Sequence, residues 1–587
     1  MSRRAEPYCF PRDEASSWGR IRRYAVPRWM IERATERRLA GDWPGACAAA
    51  GVDIAFDPAE VAREYGEPVA AALEDDLRHL APDLLRWHLP RWLGGRTTLA
   101  TDRTVVLAGY GPPARDGGSP GAPYLHVTTP AMIDGPQRIS LRFQAVECAQ
   151  ASGVFGRRTD DWTTARHLWD TRRAAELRQR YGGGDRAPFF RTDGGLLETH
   201  ELPTAEPGAG DPAARAEWVA LIQQNGTLAE AFAAAGIELD LTAPAASRWY
   251  RVDPEAVLRN LALDLTRLEP EVRRLADAGV GDRFQITDGW RSSALFELTD
   301  RGPLGRLKVR VVERNDAQDV AVLPEALWRR LPDLDLLRTG GIAPQGLHPL
   351  VAAALFPDLV PAGPAGPPGP GSPAAVPVRC RGEWHEVAFR GGRLDMPHSE
   401  EEQQRERALH AFGGTVAGCF AVQHAATSGT GRLPKALRAQ RRELFLRAQH
   451  GDTPGVLELL DAGVDPRVRD GGGRTLLHVL HLLDHEPLLP RLLSAGLDLE
   501  ATDHRDRTPL FVAVNDAGSK ALVEALIDAG ARIDAVDQTE LSLAQVVRKY
   551  RRADLRFLHD RVRAEHPGIG ADWWNEWHED EDEEQDR

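Results

Sequence analysis

The sequence predicts a multidomain α+β protein, with two N-terminal α+β modules, a small β-meander and a C-terminal α-helical repeat solenoid. Three observations carry this expectation. The last third of the 587-residue chain repeats itself at a period of 33 residues. A Pro/Gly stretch at 361–375, with PAGPAGPPGPGSP at its heart, separates that third from the rest and offers no side chains for a core. Ahead of it, the order helix, helix, strands, helix occurs twice. A chain of this length exceeds what one core supports, so roughly three or four domains are expected.

The first segment, 1–31, is rich in arginine, including Arg3, Arg4, Arg12, Arg20, Arg22, Arg23 and Arg28. Acidic residues interleave with it, which favours a solvated segment over a polybasic binding arm. Copy A of the α+β module is placed at 32–205 and copy B at 213–360. Ala48-Ala49-Ala50-Gly51-Val52-Asp53-Ile54 is echoed, 185 residues on, by Ala233-Ala234-Ala235-Gly236-Ile237-Glu238-Leu239. Each echo leads to a helix opened by Asp and Pro, Asp57-Pro58 in one and Asp253-Pro254 in the other, a favourable N-cap followed by a pre-set φ. A second helix follows, beginning near Leu80 and near Leu268. Strands are expected at 104–107, 124–127 and 139–143 in copy A, and at 283–286, 294–297 and 307–312 in copy B. Both copies close on a Trp-bearing helix, around Trp169 and Trp328. The competing reading is chance similarity between two Ala-rich helical regions.

Beyond the linker, 376–437 reads as a three-stranded meander plus helix. Alternating stretches at 376–380, 383–389 and 393–396 are divided by Arg381-Gly382 and Gly391-Gly392, and a charged helix follows at 400–412. On the middle strand, His385 alternates with Trp384 and Glu386 and reads as a strand-face histidine. The repeats occupy 438–565 as three units and a cap, and an acidic tail bearing Trp573, Trp574 and Trp577 fills 566–587.

Inside the repeats, Leu459-Leu460-Asp461-Ala462-Gly463 returns as Leu492-Leu493-Ser494-Ala495-Gly496 and as Leu526-Ile527-Asp528-Ala529-Gly530. Thr475-Leu476-Leu477-His478 and Thr508-Pro509-Leu510-Phe511 open the second and third units. Val456, Leu488 and Leu522 recur as stacking positions, and one unit cannot bury such a face alone. Gly463, Gly496 and Gly530 suit a helix end that needs positive φ. The fourth unit departs from the pattern and suits a cap. The first lacks the opening motif, so helix 400–412 is expected to cover it.

These motifs resemble the ankyrin repeat, and the whole chain resembles uncharacterised actinobacterial ankyrin-repeat proteins, from which no activity carries over. The resemblance implies a protein-binding concave surface built from hairpin tips and inner helices. By position, it nominates Arg469, His481, Asp484, His504, Arg505, Arg507, Asn515 and Asp516 for partner contact. The expected function is therefore a non-enzymatic cytosolic scaffold or adaptor for a protein partner. Neither that partner's identity nor an oligomeric state is written in these residues.

Other chemistries are less well supported by the residues. Five scattered cysteines (Cys9, Cys47, Cys148, Cys380, Cys419) include no CxxC pair, so neither a zinc site nor a disulfide framework is suggested and no metal or cofactor is expected. His478, His481 and His485 could share a helical face, but His478 is the repeat's own turn-supporting histidine and a helix break near Asp484 would turn His485 away. Gly429-Thr430-Gly431-Arg432-Leu433-Pro434-Lys435 lacks P-loop spacing. No GxSxG or HExxH occurs, so an enzyme or small-ligand binder, with its site in the N-terminal modules and the repeats as a targeting arm, is the competing class. A net charge of -14 opposes nonspecific nucleic-acid binding by the whole molecule. No apolar run approaches the roughly 20 residues of a membrane span, and no secretory signal opens the chain, so the expected address is the cytoplasm.

Overall fold

The computed structural model describes residues 10–111, 122–145, 158–208, 210–244, 252–288, 291–300, 302, 305–360 and 363–571. Cys9, Cys148, the segment 112–121 and the Trp-bearing stretch from 572 onward lie outside the described residues. The chain forms two compact units. One is built from 1–131 and 138–368, and the other from 369–587 with the short segment 132–137.

The first unit contains two five-stranded sheets. The first comprises β1 (Val52–Ile54), β2 (Arg103–Gly109), β3 (Pro123–Thr128), β4 (Ile139–Ala145) and β5 (Arg158–Asp161), in the order β1-β4-β3-β2-β5. The second comprises β6 (Glu238–Asp240), β7 (Arg283–Asp288), β8 (Ser292–Leu298), β9 (Leu307–Glu313) and β10 (Ala321–Val322), in the order β10-β7-β8-β9-β6. In each, the three inner strands are an antiparallel meander and the two edge strands join in parallel. The six inner strands coincide with the apolar runs read from the sequence. The four edge strands were not expected, because two to four residues are too few for alternation to register. Such short edges also leave little unpaired backbone to template aggregation.

Helix entry follows local chemistry. Asp57 accepts from the N–H of Ala59 at 2.9 Å and opens Pro58–Tyr65, and Asp253 accepts from Glu255 at 3.1 Å and opens Pro254–Asn260. The helix expected from Leu268 begins one turn earlier and runs Leu265–Asp277, carrying Pro270 within it.

From residue 10 onward, where it is described, the Arg-rich start is not a solvated segment. Arg12–Tyr24 and Arg28–Leu39 are helices, and Trp18, Ile21 and Tyr24 are buried at a three-residue spacing that the intervening arginines disguise. One apolar cluster runs from Leu107, Leu125 and Leu141 of the first sheet to Phe284, Phe296 and Val309 of the second. Buried ion pairs cross it, among them Arg180 with Glu271 and Arg22 with Asp333.

In the second unit β11 (Val376–Cys380), β12 (Glu383–Arg390) and β13 (Arg393–Asp395) form the antiparallel meander. The charged helix Glu400–Ala411 buries none of its residues, so it does not seal the first repeat as expected. Gly418–Ser428 does so instead. It buries Cys419, Phe420, Val422, Ala425 and Ala426 in the repeat core, and the Ala426 carbonyl accepts from Arg469 N at 2.9 Å. Its apolar content is carried largely by small residues and one cysteine, a weak amphipathic signal. At the far end Gln545 holds Ala571 through both backbone groups, at 2.9 and 3.1 Å. Among the described residues no helix is long and apolar enough to cross a membrane.

Candidate functional site

The repeats are helix pairs. Lys435–Gln449 is followed by Thr453–Asp461, the 3-10 helix Leu477–Leu482 by His485–Ser494, Pro509–Asn515 by Lys520–Asp528, and Leu543–Lys549 by Arg556–Glu565. Val456, Leu459, Leu488, Leu492, Leu522 and Leu526 are all buried, so the recurring apolar positions are the stacking contacts. Gly463, Gly496 and Gly530 end the second helices at φ of 96°, 78° and 103°. A side chain there is strained, and Gly530→Ala should cost about 1–2 kcal/mol in chemical denaturation of the full chain. No loss would mean that the helix end reshapes without cost.

Each hairpin is fixed by one aspartate. Asp470 accepts from the N–H of Gly472 and of Arg474 at 2.8 and 2.9 Å, Asp503 from Arg505 and Arg507 at 2.8 and 3.1 Å, and Asp537 from Thr539 and Leu541 at 2.9 and 3.1 Å. A carboxylate that accepts backbone N–H groups replaces missing ladder partners and rigidifies the tip. Successive hairpins join through His504 N to the Gly472 carbonyl and Gln538 N to the Arg505 carbonyl, both at 2.9 Å.

The residues nominated for partner contact divide into three groups. His504 and Arg505 stand exposed at the second hairpin tip. Arg469 and Arg507 are half-buried: Arg469 ties the first hairpin to the second, and Arg507 braces its own. Arg469 donates to the Gly473 and Thr502 carbonyls at 3.0 and 2.9 Å, and Arg507 pairs with Asp503 at 2.7 Å. Asp484 is exposed but caps its own helix by accepting from Glu486 N.

His481, Asn515 and Asp516 come together on the inner helices. Asn515 donates to Asp516 at 2.6 Å, and His481 meets the carbonyl of Asp134, in segment 132–137, at 2.9 Å. Burial holds His481 below its ordinary pKa range and Asp516 above its own, each opposed by the other's charge. His478 supports the turn: its Nδ1 accepts from Thr475 N at 3.1 Å, and its Nε2 lies 3.0 Å from the Arg507 carbonyl. His485 begins the next helix, beyond the break at Asp484.

A cleft of about 400 Å³ opens where Glu400–Ala411 and Gly418–Ser428 face the first two hairpins. Arg407, His410, His424, Arg467 and Arg469 line it, with the His410 and His424 rings 4.5 Å apart. Of these only Arg469 was nominated from the sequence. Arg407, His410 and His424 lie on the two preceding helices, which no repeat motif marks, and Arg467 lies in the first hairpin beside Arg469.

Helix pairs closed by Asp-anchored hairpins at this spacing define a helical repeat array of ankyrin type. The comparisons agree. The model of the family described as Ankyrin repeats (3 copies) matches residues 444–537. The Neurogenic locus notch homolog protein 1 of Homo sapiens is 30% identical over 151 residues, 25% of this chain and 5% of that protein. Its Xenopus laevis counterpart is 30% identical over 149 residues, again 25% and 5%. An ankyrin repeat-containing protein of Schizosaccharomyces pombe is 36% identical over 69 residues, 12% of this chain and 33% of that protein. The chain thus spans only a small part of the length of the notch proteins it matches. Its C-terminal part carries ankyrin repeats, a structure that generally mediates protein–protein interaction.

Proposed function

We propose that the protein is a non-enzymatic cytosolic adaptor that holds a protein partner on its ankyrin array. The observation that carries this is the second hairpin tip. His504 and Arg505 are exposed on a backbone held by Asp503 and by the neighbouring hairpin, and Arg469 links that hairpin to the cleft of about 400 Å³. An exposed guanidinium carried on a backbone fixed in this way suits charge-assisted bonds to acidic side chains or carbonyls of a partner segment. The cytosolic address is supported by Cys47, Cys380 and Cys419, which are buried outside any disulfide.

Affinity capture from the native cell with full-length bait tests the reading. The double variant His504→Ala/Arg505→Ala should lose at least one protein that the unaltered chain retains. Its stability should stay within about 0.5 kcal/mol, because exposed tip residues contribute little to the fold. An unchanged captured set would sink the proposal.

We infer also that residues 32–205 and 213–360 are two copies of one module. The support is a strand-by-strand correspondence. β1 to β5 take the same neighbours, with the same parallel and antiparallel senses, as β6 to β10. Gly51 and Gly236, which precede β1 and β6, share positive φ at 66° and 77°. The copies meet through the common apolar cluster, which suits a packed structural body better than a reaction site.

A further inference from the structure

The cysteines and histidines that the sequence left unconnected include four that the fold brings to one point. Cys380 ends β11, and His385 sits on β12 opposite Val378. Those positions share one face of the hairpin, whose two-residue turn, Arg381-Gly382, takes φ of 51° and 94°. His398 follows β13 at the entry to the helix Glu400–Ala411, and Cys419 lies in the first turn of Gly418–Ser428. One donor atom from each of the four lies within 4.8 Å of all the others. Cys380 Sγ is 3.6 Å from His398 Nε2, Cys419 Sγ is 3.6 Å from His385 Nδ1, and the two ring nitrogens are 3.1 Å apart.

We infer that Cys380, His385, His398 and Cys419 form a structural zinc site. Zinc bonds of about 2.3 Å to sulfur and 2.0–2.1 Å to nitrogen, set tetrahedrally, separate sulfur from nitrogen by about 3.6 Å and nitrogen from nitrogen by about 3.3 Å. The two sulfur–nitrogen edges already have that length, and the nitrogen pair has only a few tenths of an ångström to open. The longest separation closes by about 1 Å, well within a side-chain rotation. Two thiols and two neutral imidazoles plus Zn²⁺ give a bis-thiolate, bis-imidazole centre and two released protons. The product is electrically neutral, as burial requires. All four positions are filled by protein, which marks a closed structural site without an open position for substrate.

The surroundings are those of a metal shell. The outward nitrogens face carboxylates, His398 Nδ1 at 3.6 Å from Glu402 and His385 Nε2 at 3.9 Å from Glu383, the arrangement that orients metal-bound imidazoles. Phe420 packs on the His398 ring with centroids 4.6 Å apart. Gly418 is required by the approach: at φ of 59°, a Cβ there would stand 2.5 Å from Cys380 Sγ. The spacing Cys-x4-His-x12-His-x20-Cys differs from any CxxC-based finger, which is why the pattern escapes a motif search. Zinc here would fasten the meander to the helix that seals the first repeat.

Metal content and cobalt spectroscopy on the full-length chain test the inference. Protein purified with reductant and dialysed against buffer should retain one zinc per chain. Chelated protein that remains folded by circular dichroism should take up one Co²⁺, with sulfur-to-cobalt charge-transfer and tetrahedral d–d bands. Cys419→Ser should lose those bands and Cys47→Ser should keep them. Glu402→Gln, which preserves the helix-capping acceptor, should weaken Co²⁺ binding by about tenfold. In the unaltered chain, chelation should raise hydrogen exchange across 416–428 more than across 509–528. No retained zinc and no thiolate–cobalt band in the unaltered chain would overturn the site, as would a Cys380–Cys419 disulfide under reducing conditions. Because these readings come from the unaltered chain, a variant that fails to fold leaves the test intact.

Discussion

Replacing Asp333 by asparagine should destabilise the protein by about 3–5 kcal/mol, the cost of leaving one partner of a buried ion pair uncompensated. The Arg22 guanidinium lies 2% exposed and donates to both Asp333 oxygens at 2.8 and 2.7 Å, while its third nitrogen reaches the Trp87 carbonyl at 2.7 Å. The Trp87 and Trp18 rings lie 4.5 and 5.1 Å from it, so no water can replace the lost charge cheaply. Removing both charges with Arg22→Met/Asp333→Leu should recover most of the loss, since the pair's attraction is largely offset by its desolvation. Equilibrium urea unfolding of the full chain, followed through tryptophan fluorescence, measures both. A loss below about 1 kcal/mol for Asp333→Asn would mean that the pair is hydrated rather than buried.

The ankyrin array should lose stability as pH falls from about 6.5 to about 4 through His478. Burial lowers its pKa from 6.5 to about 4, and Nδ1 already accepts a hydrogen bond from the backbone of Thr475. In that window the unfolded chain binds a proton that the folded chain does not, so stability rises with pH and is lost on acidification. The depression corresponds to about 3 kcal/mol lost by pH 4, with no further loss from this group below that. His481, also lowered by burial, acts in the same direction. Hydrogen exchange of the second and third repeats at a series of pH values reads this out. His478→Gln should flatten the dependence, and an equal slope in the variant would assign the effect to other groups.

Both predictions rest on side chains whose significance the sequence displays unequally. His478 stands in a repeating motif, and its turn-supporting role could be read from that motif. Its bond to the Arg507 carbonyl, one repeat on, follows from the same stacking. Arg22 offers no such clue: it is one arginine in an Arg-rich segment, and its partner lies 311 residues away. The same contrast runs through the candidate sites. Recurring positions identified the hairpin tips, so exposed His504 and Arg505 were legible. The cleft residues Arg407, His410 and His424 were not, because the helices that carry them belong to no repeat. His385 was legible as a strand-face histidine, but not as the neighbour of Cys419, since nothing local links a strand to a helix start 34 residues later.

The sequence by itself determined the repeat period, the left-handed glycines, the Asp-Pro helix openings, the meander and the inner strands of both sheets. Each is decided by interactions between residues close in the chain or between identical neighbouring units, and those leave a local or periodic trace. Only the tertiary structure decided the edge strands, the shared core of the first unit, the packing of the Arg-rich start, the helix that seals the array and the convergence of two cysteines with two histidines. These depend on pairs brought together by chain closure over tens to hundreds of residues, where burial energy acts through three-dimensional proximity and sequence spacing carries no record of it.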